Sequence, residues 1–146
     1  MADHLVSTIQ SPYGNYAITT ALETWGLDRC EPIMVKIKEN FAQYSMHKFS
    51  SNVIEKCVER ADATVVNEFK AMILDGEGQT MKMLLRSQHS FFIVQKIYMR
   101  LETEQDRDRL LKLIGENLMH AGDKLIKSKC VSLISKGPVL EGQAQT

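Results

Sequence analysis

Apolar residues recur at the same spacing in three stretches of the chain. Residues 13–25, 49–61 and 89–101 align without gaps, and each stretch has apolar residues 4, 5, 8, 9 and 12 positions after its first residue, which is position 0. This spacing lies along one face of an α-helix, and no strand pattern of period two fits it. We therefore predict three amphipathic helices. Their predicted buried residues are Ala17, Ile18, Ala21, Leu22 and Trp25; Val53, Ile54, Cys57, Val58 and Ala61; and Ile93, Val94, Ile97, Tyr98 and Leu101.

The three stretches also define a repeat. They begin at residues 13, 49 and 89, so the period is 36 residues and then 40 residues. Periods of this length are typical of solenoids with two or three helices per repeat. Paired glycines in the polar segment 75–78 predict a loop that holds the extra residues.

Apolar spacings of three and four residues predict further helices between these stretches. Pro32 suits the first turn of one such helix, and Thr103 can cap another. Residues 119–136 have a weaker stripe, which predicts a cap, and the tail 137–146 lacks periodicity and is predicted to be frayed. The chain is thus predicted to be all-α. The weaker stripe consists of Leu125, Ile126, Val131 and Ile134.

Positions 2, 3 and 6 of the three stretches share another helix face. A solenoid would line these faces up along one concave surface. Side chains at positions 2 and 6 could hydrogen-bond the edge of an unstacked base while a planar group at position 3 lies against it, one nucleotide per repeat. The triples are Asn15, Tyr16 and Thr19; Ser51, Asn52 and Glu55; and Phe91, Phe92 and Gln95.

The middle triple has the most informative chemistry. An ionised Glu55 has only acceptors, so together with Ser51 it can accept the ring N–H and the exocyclic amine of guanine. Uracil cannot present that pair of donors. The amides of Asn15 and Gln95 offer uracil both a donor and an acceptor.

Three motifs resemble the Pumilio-type (PUF) repeat family: YGNYAI at 13–18, HKFSSNVIEKCV at 47–58 and VQK at 94–96. The middle motif is similar to the seventh repeat of the family, and its neighbours are similar to the sixth and eighth. The resemblance covers roughly residues 5–118. It implies a right-handed, armadillo-like α-solenoid domain over residues 1–136, followed by the tail. We expect about three repeats, near 5–40, 41–78 and 79–117, and a C-terminal cap at 118–136.

The resemblance also implies a function. In that family, repeats run antiparallel to single-stranded RNA, and the sixth to eighth repeats read a UGU element. By this resemblance Ser51 and Glu55 contact guanine and Asn52 lies against a neighbouring base. We therefore expect an RNA-binding module that recognises a UGU-like element in mRNA untranslated regions and serves post-transcriptional regulation, such as translation repression.

Two positions depart from the family pattern. Thr19 stands where the sixth repeat usually has Gln, and its hydroxyl cannot copy both functions of an amide. Phe91 stands where the eighth repeat usually has Asn, so one edge contact is lost. We expect Phe91 and Phe92 to form an exposed aromatic pair, which is either a stacking surface or a protein contact.

Two other functions remain open. One is a helical scaffold without base specificity that binds proteins through its convex face or its exposed first repeat. The other is a PUF-like factor in ribosomal RNA maturation with relaxed sequence preference. Binding of UGU RNA, of the same RNA with G changed to A, and of duplex DNA would separate them.

Composition excludes several other classes. The 18 basic and 18 acidic residues cancel, so RNA binding must come from local placement, and Lys124, Lys127 and Lys129 are expected to face solvent. His89, at position 0, is expected to pack. The three cysteines lack metal-ligand spacing, and no catalytic motif, signal peptide or membrane span is recognisable. We expect no enzyme, cofactor or membrane association, and a cytoplasmic location, with the nucleus or nucleolus as alternatives.

Overall fold

The computed structural model describes residues 7–74 and 78–136. This part of the chain forms α-helices joined by short turns and contains no strand, so the all-α prediction is confirmed. Short 3-10 turns lie at Leu27–Arg29 and Leu118–His120. The α-helices are α1 Gly14–Trp25, α2 Glu31–Glu39, α3 Phe41–Met46, α4 Ser50–Arg60, α5 Ala63–Leu74, α6 Gln79–Leu84, α7 Gln88–Arg100, α8 Glu104–Glu116 and α9 Lys124–Lys136.

The three repeated stretches form α1, α4 and α7, which lie side by side in chain order. Helix α4 packs against both α1 and α7. The helices between them form a second layer, in which α3 packs on α4, α6 and α7, and α5 packs on α6, α7 and α8. Equivalent helices therefore form one layer, as expected for a solenoid.

The predicted buried stripe is confirmed in α4 and α7. All five positions of each stretch, the last of which directly follows the helix, are at most 5% exposed. In α1 the prediction is wrong for Trp25, which is 60% exposed, and for Ala17, which is also exposed, whereas Ile18 and Leu22 are buried. The physical reason is the number of packed neighbours: among the described elements, α4 packs on α1, α3 and α7, and α7 packs on α3, α4, α5 and α6, whereas α1 packs mainly on α4 and the turn Leu27–Arg29.

Local signals for helix ends are also confirmed. Pro32 lies in the first turn of α2, and the Thr103 hydroxyl accepts a hydrogen bond from the Asp106 backbone N–H at 3.1 Å. Gly78 has a φ of 81°, in the left-handed region that favours glycine, immediately before α6. The rest of the predicted loop, 75–77, lies outside the described residues.

An arginine joins neighbouring repeats at their helix ends. The Arg100 guanidinium on α7 donates to the carbonyls of Val58 and Ala61, both at 2.6 Å. These carbonyls lie at the C-terminus of α4, where helix geometry leaves the last carbonyls without intrahelical partners. A side chain of the third repeat therefore supplies hydrogen-bond donors to carbonyls at the end of a helix in the second repeat.

The cap helix α9 docks through fewer apolar residues than its stripe predicts. Ile126 is buried, but Leu125, Val131 and Ile134 are 49%, 47% and 36% exposed, so their predicted burial is wrong. Docking depends instead on Cys130, which is buried, and on Gly122, whose N–H donates to the Leu85 carbonyl at 2.9 Å. The predicted frayed tail, 137–146, is outside the described residues, as are 1–6.

Within the described ranges, the helices are too short or too polar to cross a lipid bilayer.

Candidate nucleic-acid interface

The three position-2 residues are buried. The Asn15 side chain is 1% exposed, and its amide nitrogen donates to the carbonyls of Ser11 at 2.8 Å and Pro12 at 2.9 Å. Ser51 is 6% exposed, and its hydroxyl donates to the Lys48 carbonyl at 3.1 Å. Phe91 is 1% exposed, so the expected exposed pair of Phe91 and Phe92 is wrong. Burial of the phenyl ring among apolar side chains stabilises the fold, because it removes apolar surface from water.

The position-3 residues are exposed, and each lies on one of the three equivalent helices. Tyr16 on α1 and Phe92 on α7 are 64% and 48% exposed, and Asn52 on α4 lies between them. Two aromatic rings and one amide thus form a row of planar groups. Such groups can stack on bases, and stacking of this kind tolerates any base because every base has a π-face.

The position-6 residues are half-buried and differ in what they can offer. The Thr19 hydroxyl donates to the Tyr16 carbonyl of its own helix at 3.0 Å. Glu55 accepts a hydrogen bond from the Lys96 ammonium at 2.8 Å through its Oε1 atom. Gln95 is half-buried on α7. The one carboxylate among the nine predicted residues is therefore positioned by a lysine of the next repeat.

A surface depression of about 260 Å³ brings the middle triple together with residues of α7 and α9. Ser51, Asn52 and Glu55 of α4 line it together with Phe92 of α7. Tyr16, Thr19 and Gln95 do not line it. The complete lining consists of Ser51, Asn52, Glu55, Gln88, His89, Phe92 and Lys129.

Three of these lining residues were not predicted at the site. His89 is exposed, so the expectation that it packs is wrong. Gln88 and His89 lie three to four residues before Phe92, a spacing that shares a helix face and could have indicated them. Lys129 comes from α9, and only the docking of the cap brings it here, so no local signal could have found it.

Ion pairs connect the three equivalent helices beside the depression. Lys96 on α7 lies 2.8 Å from Glu55 and 2.6 Å from Glu59, both on α4. Lys56 on α4 lies 3.2 Å from Glu59 and 2.6 Å from Glu23 on α1. We call these five residues the ion-pair chain; it runs Glu23, Lys56, Glu59, Lys96, Glu55.

These contacts shift the pKa values of two members of the ion-pair chain. The hydrogen bond from Lys96 lowers the pKa of Glu59 most; burial opposes this effect, and the hydrogen bond from Lys56 adds to the lowering. Partial burial alone would lower the pKa of Lys96, but hydrogen bonds to Glu55 and Glu59 outweigh it and raise that pKa. The Lys96 ammonium also lies 5.7 Å from the centre of the Phe92 ring, within range of a cation–π contact.

The described residues offer nothing that resembles a metal centre, since no three His, Cys, Asp or Glu side chains are grouped to hold an ion. The residues that line the depression provide hydrogen-bond donors, hydrogen-bond acceptors and planar groups.

Comparisons of sequence and fold point to one family of known proteins. The family model of the Pumilio-family RNA binding repeat matches residues 40–68, which include α4 and the middle triple. A Pumilio domain-containing protein of Schizosaccharomyces pombe is 28% identical over 92 residues, covering 63% of this chain and 13% of its own length. The resemblance to the PUF family is thereby confirmed.

Two solved structures share the fold. PUF-8 in complex with PBE-RNA superposes with a TM-score of 0.77 at 19% identity, covering 92% of this chain and 40% of PUF-8. A Puf4 double mutant bound to the Cox17 RNA 3′ UTR recognition sequence gives a TM-score of 0.66 at 21% identity, covering 91% of this chain and 48% of Puf4. The predicted α-solenoid is confirmed, and the chain spans less than half of either protein.

Proposed function

We propose that this chain, built of Pumilio-type repeats, is a non-catalytic module that binds single-stranded RNA across α1, α4 and α7. The observation that carries the proposal is the depression that Ser51, Asn52 and Glu55 line together with Phe92. An acceptor-only carboxylate beside a hydroxyl and flanked by planar groups is suited to an unstacked base that presents two donors. Single-stranded RNA presents such bases, whereas a duplex does not.

The preferred base at the middle repeat is guanine. Its Watson–Crick edge carries a ring N–H and an exocyclic amine, and Glu55 with Ser51 can accept both. Adenine offers one donor and a ring acceptor that an ionised carboxylate repels. We therefore propose that, within a UGU-like element, the chain distinguishes the central G from other bases.

Discrimination at the two flanking bases is weaker. At the first repeat, both N–H groups of the Asn15 amide are used by backbone carbonyls, and the Thr19 proton is used by its own helix. At the third repeat, Phe91 is buried and Phe92 can contribute stacking without selectivity. We propose that these repeats add affinity and that the middle repeat supplies most of the specificity.

The biological setting is proposed by similarity. PUF-8 is bound to PBE-RNA and Puf4 to a 3′ UTR recognition sequence, which supports mRNA untranslated regions as the target class. Post-transcriptional regulation in the cytoplasm, with translation repression exerted through protein partners, would follow.

A titration tests the proposal. The affinity of the chain is measured by fluorescence anisotropy, at one fixed salt concentration, for a short RNA with UGU, the same RNA with UAU, and duplex DNA. We expect the UAU RNA to bind about 5- to 150-fold more weakly, which corresponds to about 1 to 3 kcal/mol for one good bidentate contact. Duplex DNA should bind more weakly than either. Equal binding of both RNAs would leave the relaxed-specificity alternative in ribosomal RNA maturation.

A protein-binding scaffold is the second candidate, because α1 carries apolar surface outside the triples. Tyr13 and Trp25 are 86% and 60% exposed. Absence of binding to either RNA in the same titration would favour this function.

A further inference from the structure

The ion-pair chain contains two lysines in equivalent places. Lys56 and Lys96 both stand at position 7 of their repeats, each on its own helix. Each ammonium bridges two carboxylates, and both bridge to Glu59. The repeat architecture thus provides a matched pair of cations on the same surface.

The two lysines differ in their second partner. Lys56 takes Glu23, which belongs to no base-contacting triple. Lys96 takes Glu55, the carboxylate of the middle triple, at 2.8 Å. Of the two lysines, it is therefore Lys96 that links a residue lining the depression to the neighbouring repeat.

We propose that Lys96 is a specificity-determining residue that acts through Glu55: it holds the carboxylate in place for guanine, so that base choice at the middle repeat depends on the third repeat. This inference rests on the proposed function. Lys96 is a positioning residue and does not itself recognise the base.

Geometry gives the mechanism. Glutamate has a flexible side chain, and with one oxygen bonded to Lys96 the carboxylate is restricted before RNA arrives, so less freedom is lost on binding. Lys96 is held in turn by Glu59 at 2.6 Å and by the Phe92 ring, and its side chain is only 28% exposed. A cation with three anchors is a more rigid support than a free surface lysine.

Charge adds to this effect. The Lys96 ammonium, 2.8 Å from the Glu55 carboxylate, attracts it and offsets its repulsion by Glu59. A carboxylate held in this way accepts the two donors of guanine and repels the ring acceptor of adenine. Without Lys96, a mobile Glu55 flanked by Glu59 would discriminate less well.

The test compares Lys96→Met with Lys56→Met and Lys96→Arg. Affinity for the UGU and UAU RNAs is measured for each variant, and thermal unfolding shows that each is folded. We expect Lys96→Met to reduce the UGU/UAU affinity ratio by about 3- to 30-fold, and at most to equal binding of the two RNAs; this is within the usual scale of coupling between contacting side chains. Lys56→Met removes an equal charge and an ion pair with the same partner, Glu59, and should leave the UGU/UAU ratio within about twofold of the wild-type value. Lys96→Arg keeps the cation and should retain most of the ratio.

A double variant examines whether Lys96 acts through Glu55. Glu55→Gln should lower the ratio, and adding Lys96→Met to it should lower the ratio no further. Lys96→Met is thus compared once with the wild type and once with Glu55→Gln. A loss of stability caused by Lys96→Met would be present in both comparisons, whereas an effect through Glu55 would be present only in the first.

Other outcomes overturn the inference. Equal weakening of both RNAs by Lys96→Met would make the ammonium a phosphate contact, and equal losses of ratio in Lys56→Met and Lys96→Met would make the effect a general one of the ion-pair chain. A wild-type chain that prefers UGU while Lys96→Met keeps the full ratio overturns this inference alone. A wild-type chain without preference overturns the base assignment of the proposed function, and this inference with it.

Discussion

The side-chain amide of Asn52 donates to the side-chain oxygen of Asn15 at 3.3 Å. The contact joins position 3 of the middle repeat to position 2 of the first. Asn15 is 1% exposed, and its side-chain amide donates hydrogen bonds to two backbone carbonyls that precede α1. Asn15 is therefore a buried support for the start of α1 and for Asn52, and it has no donor left for a base.

Asn15→Ala should destabilise the fold more than it alters base choice. The substitution removes the side-chain hydrogen bonds to the Pro12 carbonyl and to the Ser11 carbonyl, which keeps the Asn15 backbone N–H at 3.2 Å, so we expect a loss of about 1 to 3 kcal/mol in the free energy of unfolding. Chemical denaturation measures it. The neighbouring Tyr16→Ala is the control and should change stability by at most about 0.5 kcal/mol, because Tyr16 is exposed. A stable Asn15→Ala variant with altered preference at the first base would mean that Asn15 does read RNA.

Phe91 and Phe92 form a second matched pair, adjacent in sequence and opposite in environment. Phe91→Ala removes a fully buried ring and should cost about 3 to 5 kcal/mol of stability. Phe92→Ala should change stability little and weaken binding of both the UGU and the UAU RNA by about 1 to 3 kcal/mol, through lost stacking. Denaturation and anisotropy distinguish the two effects. Preserved RNA affinity in Phe92→Ala would indicate that its exposed ring serves another partner.

Helix periodicity explains why Phe91 was misassigned. At 3.6 residues per turn, residues seven apart differ by only about 20° around the helix axis, so position 2 lies beside position 9 of the buried stripe. Asn15, Ser51 and Phe91 are all buried for this reason. Of the three position-2 residues, Ser51 lines the depression, whereas Asn15 and Phe91 do not. Position 3, farther from the stripe, is exposed in all three repeats.

The repeats and the fold class could be predicted because each helix carries its own stripe. What periodicity cannot predict is whether a neighbour covers that stripe, which is why Trp25 at the end of the row is exposed while Ala61 and Leu101 are buried. The Lys96–Glu55 ion pair joins residues 41 positions apart, and Lys129 reaches the depression only because α9 docks nearby. Contacts of this kind depend on the assembled repeats and leave no local pattern.

Arg100→Met should weaken the junction between the second and third repeats. Its guanidinium donates to two carbonyls at the end of α4, so we expect a loss of about 1 to 3 kcal/mol in unfolding free energy. Arg60 stands at the equivalent position of the second repeat but is exposed, and Arg60→Met should stay within about 0.5 kcal/mol of the wild type. Similar losses in both variants would point to general charge effects rather than to helix capping.

From the burial of the three cysteines we predict how the fold responds to alkaline pH and to thiol reagents. Cys30, Cys57 and Cys130 are free and buried. Burial raises the pKa of the Cys57 thiol to about 12 and that of Cys130 to about 11. At about pH 8, where unfolded thiols with a pKa of about 8.5 are partly ionised, the native thiols remain protonated and inaccessible. Mass spectrometry after brief alkylation should therefore find unmodified native protein and three modified cysteines in denaturant.

The same pKa shifts fix the direction of the pH dependence. A folded-state pKa above the unfolded value contributes stability that is complete below about pH 8.5 and is lost as pH rises towards 11 and 12. The free energy of unfolding should fall over that interval. Cys57→Ala, less stable at neutral pH because of the cavity it leaves, should lose less over the same interval because one titrating thiol is gone. Rapid alkylation of the native chain at Cys57 near pH 8 would contradict this account and would mean that α4 opens readily from the layer beneath it.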